Sequence, residues 1–372
     1  MKALLTCALL SFEMVAPLPP TATYRPRLCS GVFLQTKRTA TICDAVALSS
    51  YLDNHFVTTP NTFGIAAAVQ HVANSCAQTS YLLERASLGS SGECYSEMSA
   101  KLFDKNLAKC PGISATAIQW PGRALRLTKA TVQSGNLVIV VTPLDSEAGT
   151  EVVEPSASVG SVFAVYEAAP SHDEAVMGIV PRGQEGLLVS GYCVYSSSTQ
   201  LVLAVRGELP NAFTLDPSTQ TFIFSEEGLR VPEKSKTLIV DYSCSPGWPH
   251  FLTDFVADTE AGLLLGTPLG SRFSGSTVAD VHRILTTGGC LCHPAAAGCG
   301  PGLPFLSMVV PLAFIIKQAG GKVLCHDNQS TLLSAASPLY LGSLGIIDTL
   351  EGYLDGEGAQ LAQQGSAPQE SR

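Results

Sequence analysis

A chain of 372 residues, 46% hydrophobic and 14% charged, has enough apolar mass for one large core or two smaller ones, and its composition excludes an extended disordered protein. Its 22 basic and 31 acidic side chains give a net charge of −9. With no basic face to meet a phosphate backbone, nucleic acid is set aside as a partner.

Residues 1–44 read as a targeting leader. Met1-Lys2 and the apolar run Ala3 to Phe12 form the short core of a signal sequence, too short to span a bilayer. From Pro17 to Cys43 the chain is rich in Pro, Thr and Ser, carries Arg25, Arg27, Lys37 and Arg38, and has no acid, which is transit-peptide chemistry. A signal-like segment followed by a transit-like one implies delivery to a plastid (chloroplast) bounded by extra membranes. The alternative is a plain secretory signal.

Beyond the leader, Ala45 to Phe56 and Ile65 to Ser87 carry apolar residues at i, i+3, i+4 spacing (Ile65, Val69, Val72, Ala73, Cys76), the pattern of amphipathic helices. A Gly/Ser turn at Leu88 to Gly92 ends the second, and Cys110-Pro111-Gly112 stops a third over Glu97 to Lys109. Strand-like runs follow at Ile113 to Ile118, Asn136 to Val141, Gly160 to Tyr166, Leu187 to Tyr195 and Leu201 to Arg206, several of them apolar on both faces. Such strands belong in a sheet covered by helices on each side, so the fold class is a layered α/β or α+β sandwich. Ala212 to Asp216 and Thr221 to Ser225 flank a turn and read as a hairpin. The charged stretch Glu226 to Lys236 marks a boundary between halves at 45–228 and 229–355. Beyond it a strand is expected at Leu238 to Tyr242 and helices at Thr277 to Leu285 and Ser307 to Gln318, the last stopped by Gly320-Gly321. The apolar run Met308 to Ile316, broken by Pro311 and closed by Lys317, reads as core and not as a membrane span. A Gln/Gly/Ser-rich tail, 356–372, closes the chain.

Twelve cysteines are many for a cytosolic enzyme, but they do not form the dense framework of a small disulfide scaffold. Cys290-Leu291-Cys292-His293 with Cys299, and later Cys325-His326, gather thiols and imidazoles as soft-metal ligands would, without the paired CxxC spacing of structural zinc sites. Three readings stay open for them: a thiol or soft-metal module, a redox-sensitive pair, and inert loop cysteines.

The chemistry-bearing stretch is Ile139-Val140-Val141-Thr142-Pro143-Leu144-Asp145-Ser146-Glu147, followed by Ser158 to Tyr166. It resembles the strand and metal loop of the fructose-1,6-bisphosphatase / sedoheptulose-1,7-bisphosphatase family, Asp-Pro-Leu-Asp-Gly-Ser-Ser leading to a Val-Gly-Thr-Ile-Phe strand. Gly191 to Ser197, Leu215-Asp216-Pro217, Gly275 to Arg283 and Pro311 to Gly321 agree, in the family's order. Val310 to Phe314 leans toward the sedoheptulose branch and Gly275 to Arg283 toward the fructose branch, so the branch stays open. The resemblance implies a sugar-phosphatase fold of two sheet-and-helix halves acting in carbohydrate metabolism.

Hydrolysing a phosphate monoester in this family needs magnesium, and magnesium needs hard oxygen ligands. By the resemblance, five carboxylates hold the metals. The two on one strand fall on Gln119 and Trp120, the first of the loop on Thr142, the second is kept as Asp145, and the late-helix glutamate falls on Met308. The phosphate cradle falls on Ser146-Glu147-Ala148, where Glu147 repels a phosphate; Glu147, Glu151 and Glu154 are the acids that could shift a metal site. On the sugar side the family's contacts fall on Ser245 to Trp248, on Phe273 and His293, and on Gly302 in place of a lysine. Arg272 is retained and resembles the arginine supplied to a neighbouring subunit, and Glu97 stands where a mobile-loop aspartate is found. Two outcomes follow from the resemblance. The chain is a fructose-1,6-bisphosphatase-like protein with weak or no phosphatase activity, a homo-oligomer or a partner of an active bisphosphatase. Alternatively it is an active fructose-1,6- or sedoheptulose-1,7-bisphosphate 1-phosphohydrolase of the Calvin cycle or gluconeogenesis. In that case Mg is its cofactor and a sugar bisphosphate its substrate, with Asp145 and Glu97 catalytic.

Overall fold

A computed structural model describes residues 46–56, 60–86, 94–123, 125–129, 135–145, 158–168, 186–264, 266–296, 298, 300–325 and 335–356. The leader expected at 1–44 and the tail from 357 onward lie outside them. Residues 45–372 form one compact unit.

Three helices open it: α1 (Leu48–Phe56), α2 (Pro60–Ala86) and α3 (Tyr95–Leu107). An eight-stranded sheet follows, built from β1 (Ile113–Ile118), β2 (Arg126–Lys129), β3 (Leu137–Thr142), β4 (Val159–Glu167), β5 (Leu187–Tyr195), β6 (Gln200–Val205), β7 (Asn211–Asp216) and β8 (Thr221–Glu226). Its strand order is β2-β1-β3-β4-β5-β6-β7-β8. Only β1 and β3 run parallel; all other neighbours are antiparallel, including the expected β7–β8 hairpin.

The second half holds β9 (Thr237–Val240), a 3₁₀ turn at Tyr242–Gly247, α4 (His250–Glu260), β10 (Gly270–Ser271), α5 (Thr277–Thr287), β11 (Cys290–His293), β12 (Leu303–Pro304), α6 (Val310–Gln318), β13 (Lys322–Cys325), β14 (Ala336–Ser337), β15 (Leu339–Gly342) and α7 (Leu344–Leu354). Five of these strands form a sheet ordered β10-β9-β11-β15-β13, in which β10, β9 and β11 are parallel. Among the described residues no helix is long and apolar enough to cross a membrane.

Alternation along the strands stacks these elements into five layers. On β3, Leu137, Ile139 and Val141 join a core with Leu52, Val69 and Phe103 of α1–α3. Val138 and Val140 point to the other face, into a core with Val281 and Ile284 of α5 and Leu312 and Ile316 of α6. The same middle core takes Ile239, Leu291 and Leu341 from the second sheet, and therefore joins residues on both sides of position 228. The opposite face of that sheet packs Leu238, Val240, Cys290, Cys292 and Tyr340 against α4 and α7. A sheet covered on both faces is what strands apolar on both faces require.

Two differences from the sequence reading have clear causes. Cys290 to His293 is a strand and not a ligand loop, so the thiols of Cys290 and Cys292 fall on one face and are buried in the α4–α7 core. Contact with the Cys290 thiol and burial push Cys292 well above the ordinary thiol range, which makes it a core residue and not a thiolate ligand. The single helix expected from Ser307 begins instead with a π turn at Phe305–Val309. Pro311 has no N–H to donate to the carbonyl four residues earlier, at Ser307, and that carbonyl turns to a different donor.

Candidate functional site

The carboxyl ends of β1 and β3 lie side by side: Gln119 N–H donates to the Val141 carbonyl at 2.9 Å, continuing the β1–β3 pairing. The Gln119 side chain folds back on its own turn, donating to the Arg123 carbonyl at 2.6 Å. Trp120 is buried at 8% exposure in the α1–α3 core, with the Arg126 guanidinium 5.6 Å from its ring centroid, a cation–π contact. Thr142, at the end of β3, is buried, and its hydroxyl donates at 3.2 Å to the Ser307 carbonyl that Pro311 leaves free. Met308 follows directly, 3% exposed within the middle core.

Asp145 lies three residues past Thr142 and is half-buried; desolvation raises its carboxyl above the usual range, against the pull of its hydrogen bonds. One oxygen accepts from Gly160 N–H of β4 at 2.7 Å. The other accepts from the Ser276 hydroxyl and from Val278 N–H, both at 2.7 Å. Ser276 caps α5, accepting from Ala279 N–H at 3.1 Å, so Asp145 completes the capping of that helix by taking a further first-turn N–H and complementing its positive end. β4 approaches closely here. A Cβ on Gly160 would come within 2.3 Å of Val278, so glycine lets the strand meet the helix at the point where Asp145 bridges them.

One buried acid escaped the sequence reading. Asp280, on the first turn of α5, is 1% exposed. It accepts from Ser274 N–H at 3.4 Å through one oxygen, and the other has no partner among the described residues. Burial pushes it up to about 6 from an ordinary 3.8, opposed by Ser274 and Arg283 and reinforced by the charge of Asp145. Its signal was already present in the Gly275 to Arg283 block, as an acid one turn after a serine cap.

A folded-state value above the unfolded one means that the fold binds the extra proton. Stability on this account is full below pH 4 and declines as pH rises toward about 6, by at most about 3 kcal/mol for two units. Asp280→Asn, neutral throughout, is expected to flatten that stretch of the urea-midpoint profile and to exceed the wild type at pH 7 by about 1–3 kcal/mol. An unchanged slope between pH 4 and 6 would mean that another group carries the dependence.

The remaining candidates sit at the carboxyl ends of β9, β10 and β11, the edge where open parallel sheets take ligands. Ser245 lies in the 3₁₀ turn after β9, its carbonyl accepting from Trp248 N–H at 3.2 Å. Trp248 packs on Tyr242, with ring centroids 5.3 Å apart, and Tyr242 donates to Glu260. Arg272 and Phe273 follow β10 and are exposed; Arg272 N–H donates to the Leu238 carbonyl at 2.9 Å. His293 ends β11. Burial lowers its pKa, which keeps it neutral, and its Nδ1 and the Trp248 indole N–H have no partner among the described residues. At Gly302, with φ of 97°, a Cβ would lie 2.5 Å from the Ser337 carbonyl oxygen; only glycine fits, and a lysine does not. Glu97 is spent on a surface ion pair with Lys101 at 3.1 Å, of the kind worth under about 1 kcal/mol. Among the described residues there is no group of three or more His, Cys, Asp or Glu able to hold a metal ion. Glu147, Glu151, Glu154, Cys299 and His326 lie outside those residues.

Comparisons with known proteins place the chain by family and by fold. A family model described as the fructose-1-6-bisphosphatase N-terminal domain matches residues 125–227, and one described as the C-terminal domain matches 231–354. The chain is 36% identical over 242 residues to the chloroplastic fructose-1,6-bisphosphatase of Brassica napus. That match covers 59% of this chain and 57% of the relative, little more than half its length. It is 30% identical over 249 residues to the cytosolic fructose-1,6-bisphosphatase of Oryza sativa subsp. indica, covering 60% of this chain and 73% of that one. Among solved structures, Leishmania major fructose-1,6-bisphosphatase in its T-state superposes with a TM-score of 0.75 at 24% identity, over 84% of this chain and 99% of that one.

Proposed function

The chain belongs to the fructose-1,6-bisphosphatase family, and from that premise we propose that it is a sugar-phosphate-metabolism protein with weak or no phosphatase activity, which acts by binding. The observation that carries this reading is the condition of Asp145. It is the one carboxylate retained at the five positions assigned to metal ligands, and both of its oxygens are engaged by Gly160, Ser276 and Val278.

The other four positions, Gln119, Trp120, Thr142 and Met308, offer an amide turned onto its own loop, an indole, a hydroxyl already donated and a thioether. Magnesium takes hard oxygen ligands in near-octahedral array. This donor set does not fit a two-magnesium cluster, and no catalytic step is derived through one. On the sugar side, Trp248, Phe273 and a neutral His293 with Arg272 as the retained cation favour binding of a sugar phosphate over its turnover. A homo-oligomer, or a mixed assembly with an active bisphosphatase, is the form in which such binding would matter. The leader chemistry and the chloroplastic relative favour a plastid location.

The test is direct. Purified protein is incubated with fructose-1,6-bisphosphate, and separately with sedoheptulose-1,7-bisphosphate, in saturating magnesium, and released phosphate is measured. The expected rate is far below about 1 per second, the low end of ordinary enzymes. Turnover above that overturns the reading in favour of an active phosphohydrolase.

A further inference from the structure

The α4–α7 layer packs on the face of the second sheet turned away from the middle core. Between the two helices runs a shallow notch lined by Phe255, Thr259, Leu264, Ile346 and Thr349. Thr259 is 2% exposed, and its hydroxyl has no hydrogen-bond partner among the described residues. A threonine inside a helix can return its hydroxyl to the carbonyl four residues back. Thr253 and Thr349, on these same two helices, do so to Pro249 and Gly345. Thr259 does not, which leaves a buried polar group unmet in the wall of an otherwise largely apolar notch.

The helices around the notch carry one sign of charge. Residues 250–264 and 344–356 include Asp254, Asp258, Glu260, Asp348, Glu351 and Asp355 and no lysine or arginine. Lys322 of β13 pairs with Asp348 at 2.6 Å and with Glu351 at 2.5 Å. The other four acids have no ion pair among the described residues; Asp258 and Glu260 accept instead from the phenols of Tyr353 and Tyr242. Burial, the bond to Asp258 and the charges of Asp258 and Asp254 hold the Tyr353 phenol above its ordinary range, so both acids act on the seam between the helices. Leu263 after α4, and Leu344 and Leu354 at the two ends of α7, are exposed.

We propose that the α4–α7 layer is a docking face for a basic protein segment, which lays an apolar residue over the notch and sets lysines or arginines against Asp254, Asp258 and Asp355. Charge complementarity chooses this occupant. A second copy of the chain would bring like charges against like, which is costly at an interface, and an anionic surface would be repelled. An apolar contact ringed by opposite charges is how an interface core sits within its polar rim. The segment's backbone or a polar side chain would meet the Thr259 hydroxyl. The notch residues form no part of the candidate binding edge, so the proposal stands whether or not that edge turns over a phosphate.

The test uses the full chain and a fluorescein-labelled synthetic amphipathic helix of leucine, alanine and lysine, with binding read by anisotropy. Saturable binding is expected at low salt, weakening by about tenfold or more when sodium chloride is raised by about tenfold, because the charges on this face are solvent-exposed. The same peptide with glutamate for lysine should not bind, and one of equal charge with its leucines scattered around the helix should bind about tenfold or more weakly. Asp254→Lys with Asp355→Lys should weaken the lysine peptide by about tenfold or more, whereas Glu226→Lys with Glu227→Lys, an equal change of net charge at the end of β8, should leave it within about twofold. Thr259→Val should melt no lower than wild type, since it removes an unmet buried hydroxyl, and yet bind the peptide more weakly. No saturable binding, equal binding of the two lysine peptides, equal effects of the two double reversals, or wild-type affinity in Thr259→Val overturns the docking face. Wild-type self-association in sedimentation velocity that Asp254→Lys with Asp355→Lys removes would assign the face to a second copy, and overturns it too. The three peptides on wild type decide the matter even if a variant fails to fold.

Discussion

Asp145→Ala is expected to lower the unfolding free energy by about 3–5 kcal/mol and to leave magnesium affinity where it was. The substitution strands three donors that now end on one carboxylate: Gly160 N–H, the Ser276 hydroxyl and Val278 N–H. Each buried donor left without an acceptor costs about 1–3 kcal/mol. They belong to β4 and to the start of α5, so the loss loosens the contact between the first sheet and the helix layer beneath it. Asp145→Asn keeps one carbonyl oxygen and should fall between wild type and alanine. For a chain of this length the alanine variant should melt on the order of 10 °C lower. Urea titrations of the three proteins, with and without magnesium, provide the measurement. An unchanged midpoint together with lost magnesium binding would return Asp145 to the role of ligand.

The second large effect concerns the four replaced positions together. Gln119→Glu, Trp120→Glu, Thr142→Asp and Met308→Glu in one chain would place three carboxylates where the present side chains are 8%, 4% and 3% exposed, beside Asp145. Without a cation such charges are costly to bury, and the variant should be destabilised by several kcal/mol in chelator. Magnesium at a hundredfold over its dissociation constant should return about 2.7 kcal/mol, read as a rise in melting temperature that the wild type does not show. If the combined variant melts at the same temperature with magnesium as without, then either the pairing of these residues with ligand positions is wrong or Asp145 cannot be freed from its donors.

The sequence made some of this plain and hid the rest for identifiable reasons. β1 and β5 have the expected bounds, and β3, β4, β6, β7 and β8 shift by a residue at their ends, because buried strands announce themselves by β-branched and apolar runs. α4 and α7 went unread. Pro249 precedes the first and Gly345 and Gly352 punctuate the second, so their helical signal comes from packing on Tyr340 and Leu238 and not from local propensity. A ligand reading stayed open for Cys290 and Cys292 because spacing along a chain does not say which face a side chain takes; the pairing of β11 with β9 and β15 puts both in the core. Asp145 was visible as a carboxylate in the right loop. Its three donors were not, since two of them come from residues 131 and 133 positions away. Asp280 escaped for the same reason: its burial belongs to the assembled layers.

The bond from Thr142 to the Ser307 carbonyl, with Met308 packed beside it, bears on which substitutions the core can accept. Aspartate at Thr142 alone would leave that carbonyl without its donor and bury a second charge near Asp145, whose two oxygens are already engaged. A lone glutamate at Met308 would fare no better. On the proposed pairing a metal site needs several substitutions at once, whereas a lone acid at any of the three buried positions is expected to lower stability. On that pairing, a lone carboxylate at Trp120, Thr142 or Met308 would be buried before any partner is there to share a cation, so the packing of the core itself opposes a stepwise route to a magnesium site.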